Sequence, residues 1–103
     1  MLTVTTNDIP GKEIEIIGLV KGNVVRAKHI GRDIMAGFKN LAGGEIKSYT
    51  DLLAESRQIA YDRMVEEAEA LGADAIVALR FSSAQVMEGA SEMIAYGTAV
   101  KFV

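Results

Sequence analysis

Arg57 and Tyr61 stand one turn apart in a stretch of helical periodicity, with Tyr49 ahead of them and Glu92 and Tyr96 on a later stretch of strand pattern. An arginine forks onto carboxylates, and a tyrosine carries a hydrogen-bonding group into an apolar surface. A grouping of Tyr49, Arg57 and Glu92 is therefore suited to a small polar ligand. The same residues also suit a structural network in which Arg57 pairs with Glu92 at a packing or subunit interface, and this is the plainer reading. No Ser-His-Asp or Cys-His arrangement can be assembled, so no catalytic residue is assigned.

Metal chemistry has few donors to draw on. There is one histidine, His29, and no cysteine. A zinc site of three or four nitrogen and sulfur ligands cannot come from one such chain; His29 reads as a solvated strand-end residue, with a site built by its repetition around an oligomer axis as the lesser alternative. Glu66, Glu67 and Glu69 gather near the C-terminal end of a helix, where the helix dipole disfavours them. They read as a solvated face helped by Arg63 at helical spacing, with a cation site shared between subunits as the alternative. No calcium-loop pattern is present. Gly43-Gly44-Glu45 and Gly18-x-x-x-Gly22 lack the Lys-Ser/Thr of a phosphate loop and the order of a dinucleotide fold, and read as a helix stop and a hairpin turn.

The elements that would position these residues follow from periodicity. A short strand at Leu2–Thr5 runs into the turn composition Asn7-Asp8-Ile9-Pro10-Gly11. Glu13 to Val20 alternates as a half-buried strand, Lys21-Gly22-Asn23 offers a tight turn, and Val24 to Lys28 returns as its hairpin partner. Ile34, Met35, Phe38 and Leu41 share one face of a short helix over 31–41, stopped by Gly43-Gly44. A longer helix is capped by Ser48 or Thr50, carries Asp51 in its first turn, and ends at Gly72. Its apolar stripe is Leu52, Leu53, Ile59, Ala60, Met64, Ala68 and Leu71. Two strands follow, Ala75–Ser82 and Glu92–Phe102, as an antiparallel hairpin with a rather long tip around Glu88-Gly89-Ala90-Ser91.

In that hairpin Ala75, Val77, Leu79 and Phe81 oppose Ile76 and Ala78. Met93, Ala95, Gly97 and Ala99 oppose Ile94, Tyr96, Val100 and Phe102. Both faces are apolar, so both call for cover. One helix covers one face; the other must meet the N-terminal hairpin, the short helix or another subunit. A homo-oligomer is the expectation.

Composition sets the outer bounds. The 103 residues make one domain, half of them apolar and 24% charged, with no Trp. A net charge of −3 argues against nucleic acid as a partner. No apolar run is long enough for a membrane helix, and no basic-then-apolar leader opens the chain, so a cytoplasmic protein is expected.

Five pieces in order, Thr3-Val4-Thr5-Thr6, Gly18-Leu19-Val20-Lys21-Gly22, Gly43-Gly44 before Tyr49, Leu71-Gly72-Ala73-Asp74-Ala75 and Tyr96-Gly97-Thr98-Ala99-Val100, resemble the YbjQ-type family of small bacterial and archaeal proteins. The resemblance runs nearly end to end over 1–103. It implies an α+β, dodecin-like subunit, with a small mostly antiparallel sheet and one long and one short helix, in a ring-shaped homo-oligomer, a pentamer. The family's label, heavy-metal binding, implies a metal ion as cofactor, but soft metals want thiolates and imidazoles. Met35, Met64 and Met93 sit on apolar stripes, where core packing is the ordinary role. The family's tyrosine before the long helix, helix arginine and strand glutamate match Tyr49, Arg57 and Glu92. The function expected is binding of a metal or small ligand at subunit junctions without catalysis. An organic-ligand storage oligomer, or an enzyme with a site shared between subunits, is the alternative.

Overall fold

The computed structural model describes residues 1–27 and 47–103. The short helix expected over 31–41, the Gly43-Gly44 stop and His29 lie outside the described residues. The elements are β1 (Leu2–Thr3), β2 (Ile14–Ala27), α1 (Lys47–Ala70), β3 (Ala75–Met87) and β4 (Ala90–Phe102). The strands form one mixed sheet in the order β1-β3-β4-β2, with β1 parallel to β3 and the other pairs antiparallel.

The long helix ends as its sequence predicts. Gly72 takes a φ of 75°, and its N–H donates to the Glu69 carbonyl while that of Ala73 reaches back to the Ala68 carbonyl. This is the Schellman pattern, in which a left-handed glycine lets two otherwise orphaned carbonyls be satisfied. The start differs from expectation. The helix begins at Lys47, so Ser48 and Thr50 fall inside its first turn and Asp51 in the second. Leu52, Ser56, Ala60, Met64 and Ala68, each four residues apart, form its buried ridge. Ser56 is tolerated there because its hydroxyl donates to the Leu52 carbonyl at 2.8 Å. Leu71, expected on the stripe, is exposed.

The predicted hairpin at Lys21-Gly22-Asn23 does not form. Residues Ile14 to Ala27 run as one strand, paired with β4 from Ile14 opposite Phe102 to Ala27 opposite Ala90. Gly22 is a contact residue and not a turn residue: a Cβ there would collide with the backbone of α1 at Ala60 and Met64. The hairpin between β3 and β4 does form, but its tip is tighter than expected. The strands continue to Met87 and from Ala90, leaving only Glu88-Gly89 as the turn.

The expected alternation along β3 breaks at Ala78. The register jumps from Val77 opposite Thr98 to Arg80 opposite Tyr96, so Ala78 and Leu79 together face Gly97 as a β-bulge. Ile76 and Leu79 consequently share the helix-side core with Val20, Met64, Met93, Ala95 and Ala99. Ala75, Val77 and Val100 pack on the other face with Val4, Ile9, Ile14 and Phe102. Leu79 is thus on the opposite face from the one its simple alternation with Val77 predicts, whereas the two faces of β4 fall as read.

Ala78 carries the bulge at a φ of 53°, a left-handed conformation that costs a non-glycine residue about 1–2 kcal/mol. Ala78→Gly relieves this and in part offsets the gain by loosening the unfolded chain. The substitution is expected to stabilise the fold by about 0.5–1 kcal/mol, read as a higher denaturation midpoint in urea at unchanged slope. A lower midpoint would show that Ala78 is not strained.

Candidate functional site

Helix α1 lies over β2 and β4 and leaves the helix-side surface of β3 beyond Arg80 largely open. Ala54, Arg57, Gln58 and Tyr61 follow the i, i+3, i+4, i+7 spacing of one helix flank. With Phe81 of β3, they line an open groove of about 380 Å³. A smaller hollow of about 160 Å³ adjoins it, shared by Arg57 and Phe81 and bounded by Ser82, Ser83 and Met93. The bulge at Ala78 matters here. By shifting the pleat it turns Phe81, opposite Ala95, toward the helix, and Phe81 keeps 44% of its surface exposed.

The polar groups of the groove differ in how they are held. The Tyr61 hydroxyl shares a hydrogen bond of 3.0 Å with Thr3 Oγ1, which ties the helix to the edge strand. Gln58 Nε2 donates to Asp62 Oδ1 at 2.9 Å, leaving its carbonyl oxygen free. Arg26 pairs with Glu55 at 3.1 Å, Arg63 Nη1 donates to the Asn23 carbonyl at 2.7 Å, and Arg80 Nη1 to the Thr5 carbonyl at 2.9 Å. Among the arginines of the described residues, Arg57 alone makes no hydrogen bond or ion pair. Its guanidinium is the free cation of the groove.

The structure brings Arg57 and Tyr61 together but not the other expected partners. Tyr49 lies in the first turn of α1, half-buried, eight residues and about 12 Å of helix from Arg57. Glu92 precedes Met93, which points into the helix-side core, so Glu92 faces away from α1. Its Oε2 accepts from Asn23 Nδ2 at 3.4 Å. Within one chain Arg57 and Glu92 therefore stand on opposite faces of the sheet. Tyr96, opposite Lys21, shares the face of Glu92. Arg63, expected to support Glu66, Glu67 and Glu69, is bonded to the Asn23 carbonyl instead. The flank Ala54-Arg57-Gln58-Tyr61 was available in the helical spacing. Phe81 and its serine neighbours were not, because a bulge decides which way they point.

The described residues cover the face away from the helix only in part. The turn after β1 lays Val4 and Ile9 over one end of it, with a hollow of about 290 Å³ beneath Asn7 and Asp8. Beyond that cover Ile16 is 73% exposed, Leu19 65% and Val25 54%. The strand edges are also unlike one another. Backbone bonds from Val4 and Thr6 close the outer edge of β3 as far as Leu79. Past that point β3 has no outer partner among the described strands, and neither has β2 on its outer side.

Donors for a metal ion are sparse. Among the described residues no three His, Cys, Asp or Glu side chains lie close enough to hold one. Met64 and Met93 are buried in the core, with no cysteine in the chain. The residues described do not fit a soft-metal site within one chain. No helix among the described residues is long and apolar enough to cross a membrane.

Comparison with known proteins places these features in a family. A family model described as "Putative heavy-metal-binding" matches residues 1–103. A protein of Fervidobacterium nodosum named UPF0145 protein is 62% identical over 102 residues, covering 98% of this chain and 94% of its own. One of Thermotoga maritima with the same name is 59% identical over 98% of this chain and 96% of its own. A UPF0145 protein of Clostridioides difficile is 60% identical over 97% and 90%. The crystal structure of a protein with unknown function from Pediococcus pentosaceus superposes with a TM-score of 0.71, covering 100% of this chain and 98% of its own. At 18% identity that likeness shows the fold alone.

Proposed function

Since the chain belongs to the YbjQ family, described as "putative heavy-metal-binding", and its sheet keeps an apolar face that the described residues leave uncovered, we propose that it works as a homo-oligomer that binds a small ligand without catalysis. The observation that carries this reading is the run of Ile16, Leu19 and Val25, each more than half exposed on one face. Ile16 and Leu19 are near neighbours on this face and Val25 lies beyond Lys21 and Asn23; large apolar side chains grouped on one exposed face mark an interaction site more often than scattered ones do. A second copy is the partner proposed, because the two free strand edges are different surfaces. A contact between unlike surfaces is head-to-tail, and head-to-tail contacts close into rings when the rotation allows. Five copies and a dodecin-like arrangement are what the family resemblance implies.

Such an assembly offers a way for the residues separated in one chain to meet. Arg57 on the helix side of one copy and Glu92 or Tyr49 of the next would then frame a junction. A small ligand suits this arrangement better than a heavy metal, whose donors the described residues lack. If a metal is held, its ligands come from several copies.

Sedimentation and native mass measurement test the assembly. The wild-type protein is expected to exceed its 11.0 kDa chain mass severalfold at micromolar concentration. Leu19→Glu is expected to reduce it to a folded monomer, since a charge on an exposed strand position costs the isolated subunit little while desolvating it in an interface costs several kcal/mol. A wild-type protein that sediments as a monomer would remove the proposal.

A further inference from the structure

We infer that the groove between α1 and β3 is a site for a small planar organic anion, a carboxylate carried on an aromatic or similarly flat apolar body. This rests on the small-ligand part of the function proposed above and names its chemistry. Three features of the groove point to that class. Arg57 supplies a charge that no group among the described residues neutralises, while the other described arginines each face a carboxylate or a backbone carbonyl. A guanidinium with free donors matches a carboxylate in shape as well as charge. Phe81, with 44% of its surface exposed beside it, offers a flat apolar floor of the kind usually buried. Tyr61 is held by its part-buried bond to Thr3, so this part of the wall is pre-organised and binding need not order it.

The arrangement also says what the groove rejects. A cation would meet the Arg57 charge with no carboxylate among the described lining residues to offset it. A purely polar anion, such as inorganic phosphate, would leave Phe81 and Ala54 unused. The hydroxyl of Ser83, which shares the helix-side face with Phe81 and Met93 in the adjoining hollow, suits a second polar group on the far side of the ligand.

The probe for this inference is 2-naphthoate, with 2-naphthalenemethanol as its uncharged counterpart and inorganic phosphate as the anion without an apolar body. Titration calorimetry or ligand-observed NMR on the intact protein is expected to show saturable naphthoate binding. The alcohol and phosphate should bind at least tenfold more weakly. Arg57→Ala and Phe81→Ala should each weaken naphthoate at least tenfold, and Arg57→Lys should recover part of the loss. Native mass measurement of Arg57→Ala runs in parallel and is expected to show the wild-type assembly. Equal binding of naphthoate and the alcohol, or naphthoate binding indifferent to Arg57→Ala, overturns the inference. So does loss of assembly in Arg57→Ala, which would make Arg57 a strut between subunits. A monomeric wild-type protein that still binds naphthoate through Arg57 would leave this inference standing while the assembly reading fails.

Discussion

Gly22→Ala is expected to destabilise this protein more than any other single methyl group added to its surface or sheet. Gly22 is buried on β2, and the helix rests directly upon it. An added Cβ would run into the Ala60 carbonyl oxygen and the Met64 nitrogen, and would lie 2.7 Å from Arg63 Cβ. Two of those three atoms are backbone, so no rotamer change relieves the overlap. The helix would have to lift off the sheet. Lifting it opens the packing of Met64, Ala60 and Ala68 against Val20 and Val24, all in the same core cluster. Overpacking a tight contact costs about 1–3 kcal/mol and more where backbone must move, so a loss of about 3–5 kcal/mol is expected. That is a large part of the stability of an ordinary small domain. Urea denaturation followed by circular dichroism should show it, with Lys21→Ala on the exposed side of the same strand within about 0.5 kcal/mol of wild type. A Gly22→Ala protein as stable as wild type would mean that α1 does not sit on β2 at this point.

The same glycine explains why part of the fold was legible in the sequence and part was not. Local chemistry was easy to read: the Schellman end at Gly72, the buried ridge from Leu52 to Ala68, and the two-faced strand β4 all follow from spacing within one element. Gly22 was ambiguous, because a glycine between polar neighbours serves a turn as readily as a close helix contact. Only the partner decides, and Ala60 lies far along the chain. The β3 bulge was hidden for a similar reason. Alternation of apolar residues is read as continuous until something interrupts it, and the interrupting residue here is an alanine, a type that seldom takes positive φ.

The candidate site divides along the same line. Arg57 and Tyr61 were visible together because they share a helix flank. Glu92 was grouped with them by residue type, but strand parity places it on the other face, next to Asn23. Phe81 entered the groove only through the bulge. A functional surface between two elements thus depends on long-range registers that periodicity within either element does not contain. Assembly is a further step of the same kind: Ile16, Leu19 and Val25 are exposed on one face among the described residues, and a surface that matches them is written in no single element.

Gly97→Ala should couple stability to the groove, and this makes it the most informative substitution in the sheet. Gly97 stands opposite the Ala78-Leu79 bulge, where two residues of β3 crowd against one of β4. A Cβ built there lies 2.7 Å from Ile76 Cγ2, 3.0 Å from the Val77 carbonyl oxygen and 3.4 Å from Leu79 Cα. Ile76 is fully buried, its Cγ2 is held close to its own backbone, and the second contact is a backbone carbonyl, so the strain falls largely on the backbone of β3. A loss of about 2–4 kcal/mol is expected from denaturation. The bulge also sets which way Phe81 points, because a one-residue shift in register turns every following side chain to the opposite face. If the strand relaxes by losing the bulge, Phe81 leaves the groove and Ser82 takes its place. Gly97→Ala is therefore expected to weaken 2-naphthoate binding at least tenfold under conditions where the protein is still folded, although Gly97 lines neither hollow. Combined with Ala78→Gly it should depart from additivity, since the two residues meet across one strand pair. Reduced stability with unchanged binding would show that the bulge survives and that the strain is absorbed elsewhere. Unchanged stability would show that β3 and β4 are farther apart at this point than the structure places them.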